Sequence, residues 1–117
     1  MIKINNLYKS FGDKDILKGL NLTVNDGECV CIIGKSGIGK SILLKHITGL
    51  MIPDKGEVWL HDQMINNLSF KELQKIRARI GMVFQFGALF DFMSVLNNLA
   101  LPLKKLTDYS NEEIVTL

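Results

Sequence analysis

What this sequence lacks removes several explanations at once. Its longest unbroken apolar run, residues 29–33, is five residues long, whereas a helix crossing a bilayer needs about 20. No transmembrane segment is expected. The opening MIKINNLYKSF interleaves polar with apolar side chains and has no continuous hydrophobic stretch of the secretory type, so the cytoplasm is the expected address. Excess charge is also scarce: 14 Lys+Arg against 12 Asp+Glu leave a net charge of +2, too little for a nucleic-acid arm, and no nucleic-acid partner is expected. There are only two cysteines, Cys29 and Cys31. At that spacing in a strand they share a face without being placed for a mutual disulfide, and zinc sites use more ligands at other spacings, so both read as reduced core residues. The two histidines offer no catalytic pattern: His46 lies beside Lys45 in a helical segment and His61 in a turn, and both read as solvated. Hydrophobic residues at 47% and charged ones at 22% are near the globular norm, and 117 residues leave room for one domain, residues 1–117.

The first residues read as two strands. Ile2 and Ile4 alternate with lysine, then Leu20, Leu22 and Val24 alternate with polar residues, as a half-buried sheet requires. Phe11, Gly12 and Asp13 read as the turn between them; Asn25, Asp26 and Gly27 end the second. Residues 29–33, apolar at every position, suit a strand covered on both faces, the usual state in a parallel sheet between helices. Ile42, Leu43, Leu44 and Ile47 have helical spacing and stop at Gly49. Pro53, Asp54, Lys55 and Gly56 form a turn into a strand over residues 57–60. Ser69 with Glu72 is a capping-box pair, followed by a stripe of Phe70, Leu73, Ile76 and Ile80. Residues 82–84 return to strand. Ser94 caps a short helix that Pro102 closes, and Ser110 with Glu113 caps a last one. That last start comes seven residues before the end, less than a typical helix of about 11 residues, so a C-terminally truncated chain is expected.

Between the apolar strand and its helix stands GKSGIGKS, the pattern Gly, four residues, Gly, Lys, Ser of a phosphate loop. Gly34, Gly37 and Gly39 allow backbone angles closed to other residues and let amides approach phosphate oxygens. The helix that follows points its free amides at the same anion. Lys40 supplies a full charge for terminal phosphates, and the Ser41 hydroxyl is the expected magnesium ligand.

Beyond that loop, the whole sequence resembles the ATPase subunit of ABC transporters. The resemblance is carried by Lys9-Ser10-Phe11-Gly12, Ile16-Leu17-Lys18-Gly19-Leu20, Asn25-Asp26-Gly27-Glu28, the phosphate loop, residues 50–58 and Gly81-Met82-Val83-Phe84-Gln85. It implies that Phe11 stacks on adenine and that Gln85 reaches toward magnesium and the attacking water. Stacking on an aromatic ring is worth about 1 to 3 kcal/mol per base, and a glutamine amide offers both a donor and an acceptor beside a metal. The bland alternatives are a turn aromatic packed on its own strand and an ordinary polar residue at a strand end. Phe86-Gly87-Ala88-Leu89-Phe90-Asp91, with residues 95–103 after it, is similar to a narrower group, the Mla-type, MCE-associated ATPases of phospholipid transport, also described as toluene-tolerance transporters. Leu89, Phe90, Phe92 and Met93 are then either a surface for the membrane subunit or plain core packing.

The resemblance implies an α/β fold: a P-loop NTPase core of an ABC ATPase with an N-terminal antiparallel β portion and the start of a parallel sheet. It implies ATP and Mg2+ as cofactors. Phe11, Gly34, Lys35, Ser36, Gly37, Ile38, Gly39, Lys40, Ser41 and Ile42 would hold the nucleotide, with Ser41 and Gln85 at the metal. Implied partners are a second ATPase copy, a membrane permease and a lipid-binding MCE-type subunit, with the chain peripheral on the cytoplasmic face of the inner or plasma membrane. Ile42 departs from the family in standing where threonine is usual, and Gln63 in standing where a turn glycine is usual. The serine-glycine signature, the aspartate strand, the glutamate base and the switch histidine are not found, so no hydrolysis is expected of these residues alone. The rival readings are a non-hydrolysing nucleotide-binding fragment and the ATPase of another ABC system, whether a small-solute importer or a soluble ABC protein. Lys71, Lys75, Arg77 and Arg79 read as a solvated helix face, with a phosphate or lipid contact as the alternative.

Overall fold

Strand β1 (Ile2–Phe11) turns through Gly12 and Asp13 into β2 (Lys14–Val24), with Ile2 opposite Val24 and Phe11 opposite Lys14. Strand β3 (Lys55–Leu60) pairs with the other edge of β1, with Ile4 opposite Val58, and β4 (Gln63–Met64) completes an antiparallel sheet in the order β2-β1-β3-β4. The computed structural model that shows this describes residues 1–35, 39–83 and 89–116. It divides into two compact units, Met1–Arg77 and Ala78–Leu117.

Simple alternation explains only half of β1. Ile4 and Leu7 are both buried although three residues apart, because the strand bulges between them, where Asn6 adopts φ 46°. Asparagine tolerates that left-handed conformation better than most residues, and the extra residue switches the buried face. The amide that the bulge frees is not orphaned: Asn6 N donates to Asn21 Oδ1 at 2.9 Å. Across the strand, Gly56 sits at φ 100° so close to the bulge that a Cβ there would press on the carbonyl oxygens of Asn5 and Asn6. Only glycine fits. Ile4, Leu7, Leu17, Val58 and Leu60 line the buried face of the sheet's residues. Helix α1 (Lys40–Ile47) packs against β3 and contributes buried Leu43 and His46. Helix α2 (Phe70–Arg77) closes the unit's sequence.

In the Ala78–Leu117 unit, α3 (Val95–Leu106) packs against α4 (Asn111–Thr116), burying Ala100 and Ile114. The Asn98 amide ties the preceding loop down: its Oδ1 accepts from Phe90 N at 2.9 Å, and its Nδ2 donates to Phe90 O at 3.0 Å and Met93 O at 3.2 Å. Leu89, Phe90 and Phe92 are exposed.

All three serine caps form. Glu72 N donates to Ser69 Oγ at 3.3 Å while Ser69 N donates back to Glu72 Oε2 at 3.0 Å; Asn97 N donates to Ser94 Oγ at 3.1 Å; Glu113 N donates to Ser110 Oγ at 3.2 Å.

Several expectations are corrected. Residues 29–33 form no strand and their side chains are exposed, Ile33 by 88%. A strand exists by pairing, and among the described residues the four strands pair only with one another. Cys29 and Cys31 are free but exposed, not core. Met82 and Val83 likewise form no strand, and Val83 is exposed; Phe84 lies outside the described residues. The expected start of a parallel sheet is therefore not formed among these residues. Pro102 does not close α3, which runs on to Leu106. Proline removes one donor, that toward Asn98 O, but the turn beyond it still closes, with Thr107 N donating to Leu103 O at 3.0 Å. Ile80 falls beyond the end of α2.

Candidate functional site

The first turn of α1 is unlike the other helix starts. Serine side chains cap α2, α3 and α4, whereas α1 begins at Gly39, at φ 99°, with no side-chain cap and no acidic residue in its first turn. Leu43 N donates to Gly39 O at 2.9 Å, the first intrahelical bond, so the amides before it point out of the helix without helical acceptors. Glycine is needed at that corner. A Cβ on Gly39 would lie 2.8 Å from Ile16 Cγ2 and 3.4 Å from Leu17 Cδ2, so β2 packs where a side chain would otherwise stand.

Lys40, half-buried, brings its ammonium onto the Gly34 carbonyl, which ties the first residue of α1 to the first glycine of the loop. Ser41 is exposed at the same turn and Ile42 is half-buried. Lys35 is exposed. Ser36, Gly37, Ile38 and Gln85 lie outside the described residues. Phe11 stands apart from the loop in sequence, at the tip of the hairpin whose second strand packs against Gly39. The residue is 47% exposed, and the Lys9 ammonium lies over its ring, 5.6 Å from the centroid. The arrangement offers open amides, one cation and no competing carboxylate in the helix's first turn, which suits a multiply charged anion. A cradle that excludes a Cβ and a lysine folded back on its own loop both fit a phosphate chain, and the exposed Ser41 hydroxyl at the same turn is the oxygen that could meet its magnesium.

The rest of α1 shows what the sequence did not reveal. His46 is buried, only 1% exposed, rather than solvated. Its Nδ1 lies 2.7 Å from Ile42 O, which assigns the proton to that nitrogen, and among the described residues Nε2 has no hydrogen-bond partner. Burial, above all, holds the imidazole below its ordinary pKa, so it stays neutral. It faces inward because the helical period that buries Leu43 also buries the residue three positions on. Arg77 is not part of a solvated face either: its Nε donates to Thr48 O at 2.9 Å and its Nη2 to Gly49 O at 2.8 Å, capping the carbonyl end of α1. No local pattern announced that contact, since 29 residues separate Arg77 from Thr48. Among the described residues no helix is long and apolar enough to cross a membrane.

The sequence profile of the family described as ABC transporter matches residues 17–116. The chain is similar to the intermembrane phospholipid transport system ATP-binding protein MlaF of Haemophilus influenzae, 44% identical over 107 residues that make up 92% of this chain and 40% of that protein. It is also similar to the methionine import ATP-binding protein MetN of Mesorhizobium japonicum, 42% identical over 104 residues, 89% of this chain and 28% of that one. Among solved structures, a dimeric ATP-binding cassette in a post-hydrolysis state, bound to ADP and phosphate, matches with a TM-score of 0.87 at 38% identity, over 99% of this chain and 53% of that one. The chain thus spans less than half the length of these two curated relatives and about half of the solved cassette.

Proposed function

The chain belongs to the ABC transporter family and has the fold of its ATP-binding cassettes, and on that premise we propose that it is the ATP-binding portion of an ATPase subunit that drives phospholipid transport through a membrane permease. The observation that carries the nucleotide part is the start of α1: uncapped amides at Gly39, Lys40 folded onto Gly34, and no acid in the first turn. Lys40 takes the terminal phosphates, and the amides around Gly34, Lys35, Ser36, Gly37, Ile38, Gly39, Ser41 and Ile42 take the rest. The Ser41 hydroxyl would hold magnesium, with Gln85 the second ligand that the family resemblance implies, and the metal would supply charge neutralisation for the phosphates. Phe11 stacks the adenine on its open face. None of these residues is assigned as a general base, so turnover belongs to the full-length protein.

The likeness to a phospholipid-transport ATPase over 92% of this chain supports the lipid cargo. The 42% likeness to a methionine importer keeps a small-solute cargo as the second reading, because a cassette of this fold serves both. A second ATPase copy, a permease and an MCE-type lipid carrier are the partners that go with the first reading, on the cytoplasmic face of the membrane. The exposed Leu89, Phe90 and Phe92 are the side chains it offers for docking.

Two experiments test the proposal. Lys40→Ala should weaken ATP binding roughly ten- to a hundredfold, from the loss of a charged contact worth about 1.5 to 3 kcal/mol; equal titration curves for both proteins would remove the phosphate-site assignment. The full-length protein, reconstituted in vesicles with its permease, should move labelled phospholipid when ATP is supplied. Methionine uptake without lipid movement would make the importer reading the right one.

A further inference from the structure

We infer that Lys9 is a positioning residue for the Phe11 ring: its ammonium covers one face of the ring and holds the other open to a purine base. This rests on the reading of Phe11 as the base platform. Lysine at a strand end is ordinarily a mobile, solvated side chain, but Lys9 is not. Its side chain is only 17% exposed, and its Nζ donates to Ile52 O at 3.0 Å, lies 3.5 Å from Asp54 Oδ1 and sits over the Phe11 ring. The loop that holds it is itself fastened to β1 on both sides of Lys9: Asp54 N donates to Tyr8 O at 2.9 Å, and Ser10 N donates to Asp54 Oδ2 at 2.8 Å. Ammonium, carbonyl and carboxylate are thus fixed as one assembly beside the ring.

Phe11 needs such an anchor. It is half-exposed at the tip of a hairpin, next to Gly12, where a Cβ would meet nothing within 4 Å. An aromatic side chain there would have to be ordered each time a base stacked on it, and that ordering subtracts from affinity. A cation on the negative face of the ring removes the freedom in advance. The consequence is specific to ligands that carry a base: the platform is preset for the purine, while the phosphate contacts at Lys40 are untouched.

The test compares Mg-ATP with inorganic tripolyphosphate, titrated by calorimetry against the full chain. Lys9→Gln, which keeps a donor for Ile52 O but removes the charge, should weaken ATP about two- to fivefold and leave tripolyphosphate unchanged. Lys9→Arg should restore wild-type ATP affinity, and adding Lys9→Gln to Phe11→Leu should cost nothing further. Equal losses for the two ligands, or failure of arginine to rescue, would overturn the inference, because Lys9 would then act on phosphate or on the fold. If Phe11→Leu weakens ATP while Lys9→Gln does not, the platform stands and the role of Lys9 falls. If Phe11→Leu has no effect, both fall. Should the glutamine variant not fold, proton NMR decides: the Lys9 ε-methylene signals should be shifted upfield by the ring and return on Phe11→Leu, and unshifted signals in the unmodified protein would overturn the inference.

Discussion

Replacing Arg77 with methionine should destabilise the Met1–Arg77 unit by about 1.5 to 3 kcal/mol, through the far end of the helix that begins at the phosphate loop. Methionine keeps most of the apolar stem, so the change isolates the guanidinium. That group makes two bonds, to Thr48 O at 2.9 Å and Gly49 O at 2.8 Å. Hydrogen bonds from a charged donor contribute about 1.5 to 3 kcal/mol each, and because Arg77 is only half-buried, water replaces part of what is lost. The remainder is about half the nominal sum. In a chain of this size it corresponds to a fall of roughly 6 to 12 °C in Tm. The assay is a urea and a thermal melt of the full chain followed by far-UV circular dichroism, with Arg79→Met as the control, since Arg79 is exposed and has no partner among the described residues. The control should stay within about 0.5 kcal/mol of the parent. Indistinguishable melts for the two variants would refute the reasoning and return Arg77 to a solvated helix face.

Three further outcomes follow from the same geometry. Gly56→Ala should cost at least about 3 kcal/mol in a urea melt, since φ is 100° and the new Cβ would meet backbone oxygens, whereas Gly12→Ala, at φ 60° with nothing within 4 Å, should cost only about 1 to 2 kcal/mol. His46 is buried neutral with its pKa held below the ordinary 6.5, so the unfolded chain takes up a proton first as pH falls; stability should be full above pH 6.5 and decline below it, and His46→Leu should flatten that decline between pH 6.5 and 5. The exposed apolar residues 29–33 should make the chain self-associate in light scattering, and Ile33→Lys, at the most exposed of them, should reduce it without changing the melt; a monodisperse parent chain, or unchanged scattering in the variant, would refute this.

What could be read from the sequence was local. The serine caps at Ser69, Ser94 and Ser110 formed as expected because a cap is settled within three residues of chain, and the β1–β2 hairpin formed because its alternation and turn are neighbours. Register was less legible: nothing in the alternation of Ile2 and Ile4 foretells that Asn6 will bulge and bury Leu7 instead of the next residue in phase. The apolar string 29–33 was read as a buried strand because composition records that a segment can be covered, not what covers it. His46 and Arg77 were misread for a related reason. A histidine beside a lysine and an arginine among basic residues look solvated, until a helix phase turns the first inward and a contact across 29 residues recruits the second. Within the phosphate loop, motif spacing assigned Lys40 to phosphate but did not foretell its reach back to the Gly34 carbonyl, and the Lys9 ammonium over Phe11 depends on a loop 43 residues away in sequence.

The uncapped start of α1 has an energetic consequence that its other end answers. A helix with glycine in place of a serine or aspartate cap loses only about a few tenths of a kcal/mol, but one that keeps its first amides open for an anion must remain helical before the anion arrives. Eight residues cannot secure that by propensity. Leu43 and His46 anchor the helix in the core; Thr48 Oγ1 donates to Leu44 O at 3.1 Å, Gly49 N donates to His46 O at 3.1 Å, and Arg77 takes the two carbonyls beyond. Saturating the carbonyl end and burying one face lets the amide end stay exposed at little net cost. It also explains why His46 remains neutral: a second cation in the middle of the helix would be buried without a partner, whereas Arg77 reaches the same region with its charge satisfied by carbonyl oxygens. The helix is therefore held from its C-terminal end and its buried face, and the end that meets the loop is left free for chemistry.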